Sequence, residues 1–203
     1  MIRLAPTRTL PPNYQSAGKI DLSTDPRALL ILNGVGLLLF IASGAGLYRL
    51  ALVFHPHLAG QGFSYAIHNL LDLLTALAWI LGVTGLMLLV HEGIHGLFFW
   101  AFTGSRPRFG FRGYYAFAAA PDWFIPRHLY LIVALSPVIA ITLAGLVAMS
   151  VSSPGLILPL ILLVTMNFSG SVGDMLVAGW LLRQADVDFA QDYGDGVQFY
   201  RPV

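Results

Sequence analysis

The chain has 203 residues, of which 57% are hydrophobic and 10% charged. Soluble domains carry about 25% charged residues, so this composition points to a membrane protein, and a net charge of +1 offers little to nucleic acid. There is no cysteine, which excludes disulfides and thiolate ligands and leaves nitrogen and oxygen as the donors for any metal.

Residues 1–27 are polar and contain Pro, with no basic start followed by an apolar core. They read as a mostly disordered tail rather than a cleaved signal peptide. Ser23 or Asp25 could cap the next helix, with Pro26 at its first position. Apolar runs follow at about 28–54, 66–103, 129–151 and 155–183. Each is long enough to cross about 30 Å of hydrocarbon. The expected fold is an all-α membrane protein with four transmembrane helices. A short β-like loop separates spans two and three. Residues 28–183 form the membrane domain, and 184–203 a C-terminal tail. "SVSSPG" is a tight turn that makes the last two spans antiparallel neighbours.

Basic residues set the orientation. Arg3, Arg8, Lys19 and Arg27 precede span one. Arg106, Arg108, Arg112 and Arg127 lie between spans two and three, and Arg183 and Arg201 follow span four. The 55–65 loop and the 151–155 turn carry none. This pattern predicts a multi-pass protein of the cell membrane with both termini cytoplasmic. Arg49 sits near the outer end of span one, where it can snorkel outward.

The second run contains "LLVHEGIHGLFFW", Leu88–Trp100. Charged types at the centre of a bilayer cost about 2.5–3.5 kcal/mol each, so three ionisable groups within five residues need something to satisfy them. A lone buried His is commonly a hydrogen-bonded core residue, but His91 and His95 are four apart and share a helix face. Glu92 is the single glutamate in the chain and stands beside that face. The spacing is that of the zinc-binding helix motif, with two His ligands and a Glu general base.

A catalytic zinc takes a third protein ligand. It cannot be a second Glu. Ala101 occupies the place, six residues after His95, where an extended motif has its third His. An Asp or a distant His remains. Asp174 is the sole acidic residue of the fourth run, in "LVTMNFSGSVGDMLVAGW" with Asn167, Ser169 and Ser171, and is the best of these.

Other polar residues read more simply. His68 and Asp72 look interfacial or helix-packing. His55 and His57 are loop residues, and His128 is at a membrane boundary. "RPRFGFRGYYAFAAAPDWF" alternates in part from Phe109 to Phe117 and suggests a hairpin whose edge could bind an extended substrate; an interfacial amphipathic segment is the alternative. The C-terminal "DVDFAQDYGDGVQFYRPV" lacks the bidentate Glu of a calcium loop. It reads as a solvated tail ending in a strand or hairpin, with "YGDG" as turn.

"HEGIH" near one end of a span, "ALSPVIAITLAG" opening the next and "NFSGSVGD" later resemble the putative zincin peptidases, small bacterial and archaeal membrane proteins. These are similar in turn to the site-2 protease type of intramembrane zinc metalloprotease. The resemblance covers roughly residues 85–203. It implies that His91, His95 and Asp174 hold zinc, that Glu92 activates water and that Asn167 positions substrate. The site-2 pattern has Pro after that Asn and Gly after the Asp; here Met175 follows Asp174.

The expected function is therefore zinc-dependent hydrolysis of peptide bonds in membrane or membrane-proximal substrates, within a lipid bilayer and without nucleic acid. A non-catalytic metal-binding scaffold or regulatory protein is the alternative, and Glu92→Gln distinguishes them. An ion-conducting protein is disfavoured because four spans show no inverted repeat.

Overall fold

The computed structural model describes residues 4–21, 26–60, 66–113 and 115–203. The helices are α1 (Pro26–Phe54), α2 (Leu70–Thr103), α3 (Arg127–Val151), α4 (Pro154–Gly170) and α5 (Val172–Arg183). Three of them, α1, α2 and α3, are long and apolar enough to cross a membrane. The count becomes four if α4 and α5, bent by 45° at their junction, are taken as one span. α1 and the N-terminal half of α2 expose Leu, Ile and Trp on nearly every side, as helices do when lipid covers them.

Helices hold 63% of the residues and strands 16%, so all-α describes the membrane part alone. β1 (Tyr14–Asp21), β4 (Ile125–Pro126), β5 (Phe189–Asp192) and β6 (Gly196–Pro202) form an antiparallel sheet in the order β1-β6-β5-β4. The reading of residues 1–27 as a disordered tail needs correction accordingly. β1 pairs with β6 from Tyr14↔Pro202 to Asp21↔Gly196, so the two ends of the chain are knitted together. Residues 184–203 are not a solvated tail either. They make the expected hairpin, but Phe189, Ala190, Val197 and Phe199 are buried. Ala190, Val197 and Phe199 pack with Phe99, Ile125, Val133 and Leu181 into a core between the sheet and the adjoining helix ends. Trp180 stacks on Phe199 at 4.2 Å. The Arg127 guanidinium, at the start of α3, donates to the Leu181 carbonyl at the end of α5. A second core, with Ala51, Met149, Ile157 and Val164 at its centre, joins α1, α3 and α4 at the opposite end.

Three local features matter for the site. The expected hairpin forms: β2 (Arg108–Phe111) pairs with β3 (Ala116–Ala119). It packs on α2 where Gly96 leaves room, since a Cβ there would come within 2.4 Å of the Phe109 ring. Second, α2 starts later than its apolar run. Asn69 caps it by accepting from the Asp72 N–H, and Asp72 accepts from the His68 N–H. His68 and Asp72 are thus a helix start rather than a packing pair. Third, the last span breaks between Asn167 and Asp174. The Ser171 N–H and hydroxyl both turn back to the Asn167 carbonyl, at 3.0 and 2.8 Å. The N–H bond is the ordinary helical one, and the hydroxyl adds a second donor to the same carbonyl, a back-bonding that bends helices. The expected caps Ser23 and Asp25 lie outside the described residues.

Candidate metal centre

α2 carries His91, Glu92 and His95 in its sheet-side half, and the α4–α5 break delivers Asp174 in the first turn of α5. His91 Nε2 lies 3.2 Å from Asp174 Oδ2, and His95 Nε2 lies 3.5 Å from Asp174 Oδ1. One ligand atom from each residue falls within 4.8 Å of the others. The structure thus brings together the three residues expected to hold a metal, with Asp174 83 positions after His91 in the chain.

The opposite ring nitrogens are committed elsewhere. His91 Nδ1–H donates to Asn167 Oδ1 at 2.9 Å, and His95 Nδ1–H donates to the Val133 carbonyl at 3.0 Å. A neutral imidazole protonated at Nδ1 has its lone pair at Nε2. Both Nε2 lone pairs therefore converge with a carboxylate, and such a set of nitrogen and oxygen donors is completed by a cation. The residues present fit zinc on that ground.

Each orienting partner has its own origin. Asn167 is fully buried and its Nδ2 reaches the Pro137 carbonyl at 3.5 Å. It is absent from the cavity wall, and its carboxamide oxygen is turned to His91 Nδ1. The Val133 carbonyl is available because Pro137, four residues on, has no N–H to give it. His95 Nδ1 and the Ser136 hydroxyl use it instead. The proline stood in "ALSPVIAITLAG", but its consequence is visible only once His95 is seen opposite Val133.

The three candidate ligands and Glu92 line a cavity of about 710 Å³ between α1, α2, the β2–β3 hairpin and the β5–β6 turn. Glu92 is partly buried, and the Ala118 backbone N–H bonds to its carboxylate. Asp192 and Asp195 also line the cavity, and no Lys or Arg does so among the described residues. Asp192 belongs to β5 rather than to a solvated tail. It accepts from the Tyr130 hydroxyl and the Gly194 N–H, and burial pushes its carboxyl up to about 6. Asp195 accepts from Tyr115 and Arg112, which fastens the hairpin to the β5–β6 turn. His55 is held far from the site by the Met149 carbonyl at 2.7 Å.

A family model described as "Putative zincin peptidase" matches residues 84–188. Those residues make up just over half of the chain and include both histidines, Glu92, Asn167 and Asp174. No curated protein and no solved structure matches. A family of this kind implies a metal, typically zinc, and a metallopeptidase type of function. With the His-His-Asp cluster lying inside the matched residues, the chain belongs to the putative zincin peptidase family.

Proposed function

We propose that the protein is an intramembrane zinc metallopeptidase, similar in chemistry to the site-2 protease type. It hydrolyses peptide bonds of membrane or membrane-proximal segments. The observation that carries this reading is that His91, His95, Asp174 and Glu92 share one cavity whose walls include an edge strand. Zinc held by the two imidazoles and the Asp174 carboxylate would supply Lewis acidity, polarising a carbonyl and acidifying water. Glu92 takes the proton from the attacking water as the C–O bond forms, and returns it to the amine nitrogen as the C–N bond breaks. The Ala118 N–H holds the Glu92 carboxylate in place beside the ligand face.

The hairpin supports the binding of an extended substrate. Arg112 N–H donates to the Tyr115 carbonyl at 2.9 Å, so residues 112 and 115 form a hydrogen-bonded pair. The alternation of an antiparallel ladder then turns the backbone groups of Ala116 and Ala118 away from β2, and both residues line the cavity. A peptide adding to this edge would lie beside Glu92 in an extended form, with its carbonyls accessible to water. Pairing of β1 with β6 is consistent with both termini on one face of the membrane, which we assign to the cytoplasm from the basic loops.

The test is zinc content and peptide cleavage by purified protein. Glu92→Gln is expected to retain zinc and lose cleavage, whereas His91→Ala and His95→Ala should lose the metal. Zinc content unchanged in both His variants would discard the site assignment. A Glu92→Gln variant as active as wild type would discard Glu92 as the base.

A further inference from the structure

The geometry points to Asn33 of α1 as the side chain that binds the backbone of the substrate across the cavity from β3. This inference rests on the peptidase reading above. Asn167, which the family pattern offers for substrate positioning, is buried against His91, so that role falls to some other group.

α1 is apolar along most of its length, and Asn33 interrupts the run "LLILNGVGLLLF". Its side chain is exposed and lines the same cavity as His91, Glu92, His95 and Asp174. Among the described residues its carboxamide has no hydrogen-bond partner. A polar group in a membrane helix is kept where it faces a bundle interior or cavity, and Asn33 does face one.

The level of Asn33 is fixed by packing. One turn further along α1, Gly36 meets the α4–α5 break: a Cβ there would lie 3.3 Å from the Ser169 carbonyl oxygen and 3.8 Å from Val172. That break leads directly into Asp174. Asn33 is seven residues, or about 10 Å, from the sheet-side end of α1. His95 is eight residues, or about 12 Å, from the sheet-side end of α2. The two therefore stand at similar distances from the sheet-side ends of their helices, and both line the cavity.

A carboxamide offers both a donor and an acceptor. These complement the N–H and C=O that every second residue of an extended chain presents on its free edge, while the residues between pair with β3. Asn33 thus serves as a positioning residue for an extended chain whose side chains it does not read.

The test uses full-length, zinc-loaded protein in nanodiscs and two probes, acetohydroxamate and the peptide hydroxamate Leu-Ala-Leu-Ala-NHOH. Both reach the metal, but only the second has a backbone to bind. Asn33→Leu, similar in volume and suited to lipid, is expected to weaken the peptide hydroxamate roughly tenfold, the worth of one to two hydrogen bonds. It should leave acetohydroxamate affinity and zinc content unchanged, and Asn33→Gln should recover part of the loss. Equal affinities of wild type and Asn33→Leu for the peptide probe overturn the inference. So does a parallel fall for both probes, which would mark a disturbed metal site. If peptide binding depends on Asn33 while wild type cleaves nothing, the catalytic reading fails and the positioning role stands. If neither probe binds the zinc-loaded wild type, the metal centre fails and this inference with it.

Discussion

His95 donates its Nδ1 proton to the Val133 carbonyl over 3.0 Å, and that carbonyl is free because residue 137 is proline. A helix normally uses each carbonyl four residues on. Here the missing N–H of Pro137 creates an acceptor inside an apolar bundle. A buried carbonyl of this kind needs a donor, and the histidine supplies it while turning Nε2 toward Asp174. Two sequence elements 38 positions apart thus define one ligand.

Pro137→Ala follows as a prediction. Alanine is the better helix former and restores an N–H for the Val133 carbonyl, so the local helix gains. The carbonyl then divides its acceptance between that N–H, Ser136 and His95, and the imidazole loses its fixed orientation. Loss of such an orienting partner typically costs about 10- to 100-fold in metal affinity. We expect zinc affinity, measured by competition with a chelator, to fall by about tenfold while thermal stability of the zinc-free protein holds or rises. Unchanged affinity would mean that packing alone orients His95.

The membrane spans and the centre of the site were legible because their signals are local. Long apolar runs define α1 to α3, and His91, Glu92 and His95 lie within one and a half turns. Asp174 could be reached because the chain has so few acidic residues inside its spans. The sheet was not legible. β1 and β6 pair across nearly the whole chain, and strand pairing between distant segments leaves no periodic signature in either one. The bend before Asp174 comes where the Ser171 hydroxyl adds a second hydrogen bond to the Asn167 carbonyl, a local detail that a hydropathy pattern averages away. Gly93 and Gly96 lie either side of His95 in the sequence. The structure separates them: Gly96 is covered by Phe109, whereas nothing lies within 4 Å of a Cβ at Gly93.

Asp192 gives a prediction about pH. It lies in β5, beyond the spans, and burial raises its carboxyl from 3.8 to about 6, with Tyr130 and Gly194 restraining the rise. The folded protein therefore holds this proton to a higher pH than the unfolded chain does. The corresponding stability is fully present below pH 3.8 and is lost as pH rises through about 6. The loss amounts to at most about 3 kcal/mol. Asp192→Asn removes it. The Asn variant should therefore become more stable relative to wild type as pH increases from 4 to 7. Thermal unfolding in detergent across this range checks it, and a difference that stays flat with pH would show that Asp192 ionises as freely folded as unfolded.

The edge of β3 gives a prediction about substrate. Ala116 and Ala118 turn their backbone groups away from β2, and the Ala118 N–H is already used by Glu92. The Ala116 N–H is therefore the donor that an added peptide strand would take. Proline is tolerated on an edge strand where its missing N–H faces outward. Ala116→Pro should accordingly leave the β2–β3 ladder, zinc content and unfolding temperature close to those of wild type, while peptide cleavage falls about tenfold, the loss expected for a hydrogen bond made at the reacting substrate. Phe117→Pro is the contrast. Its N–H belongs to the ladder with Gly110, so the variant should lower the unfolding temperature together with cleavage. Cleavage by Ala116→Pro at the wild-type rate would show that substrate does not add to this edge, and the hairpin would then serve only to hold Glu92 and close the cavity.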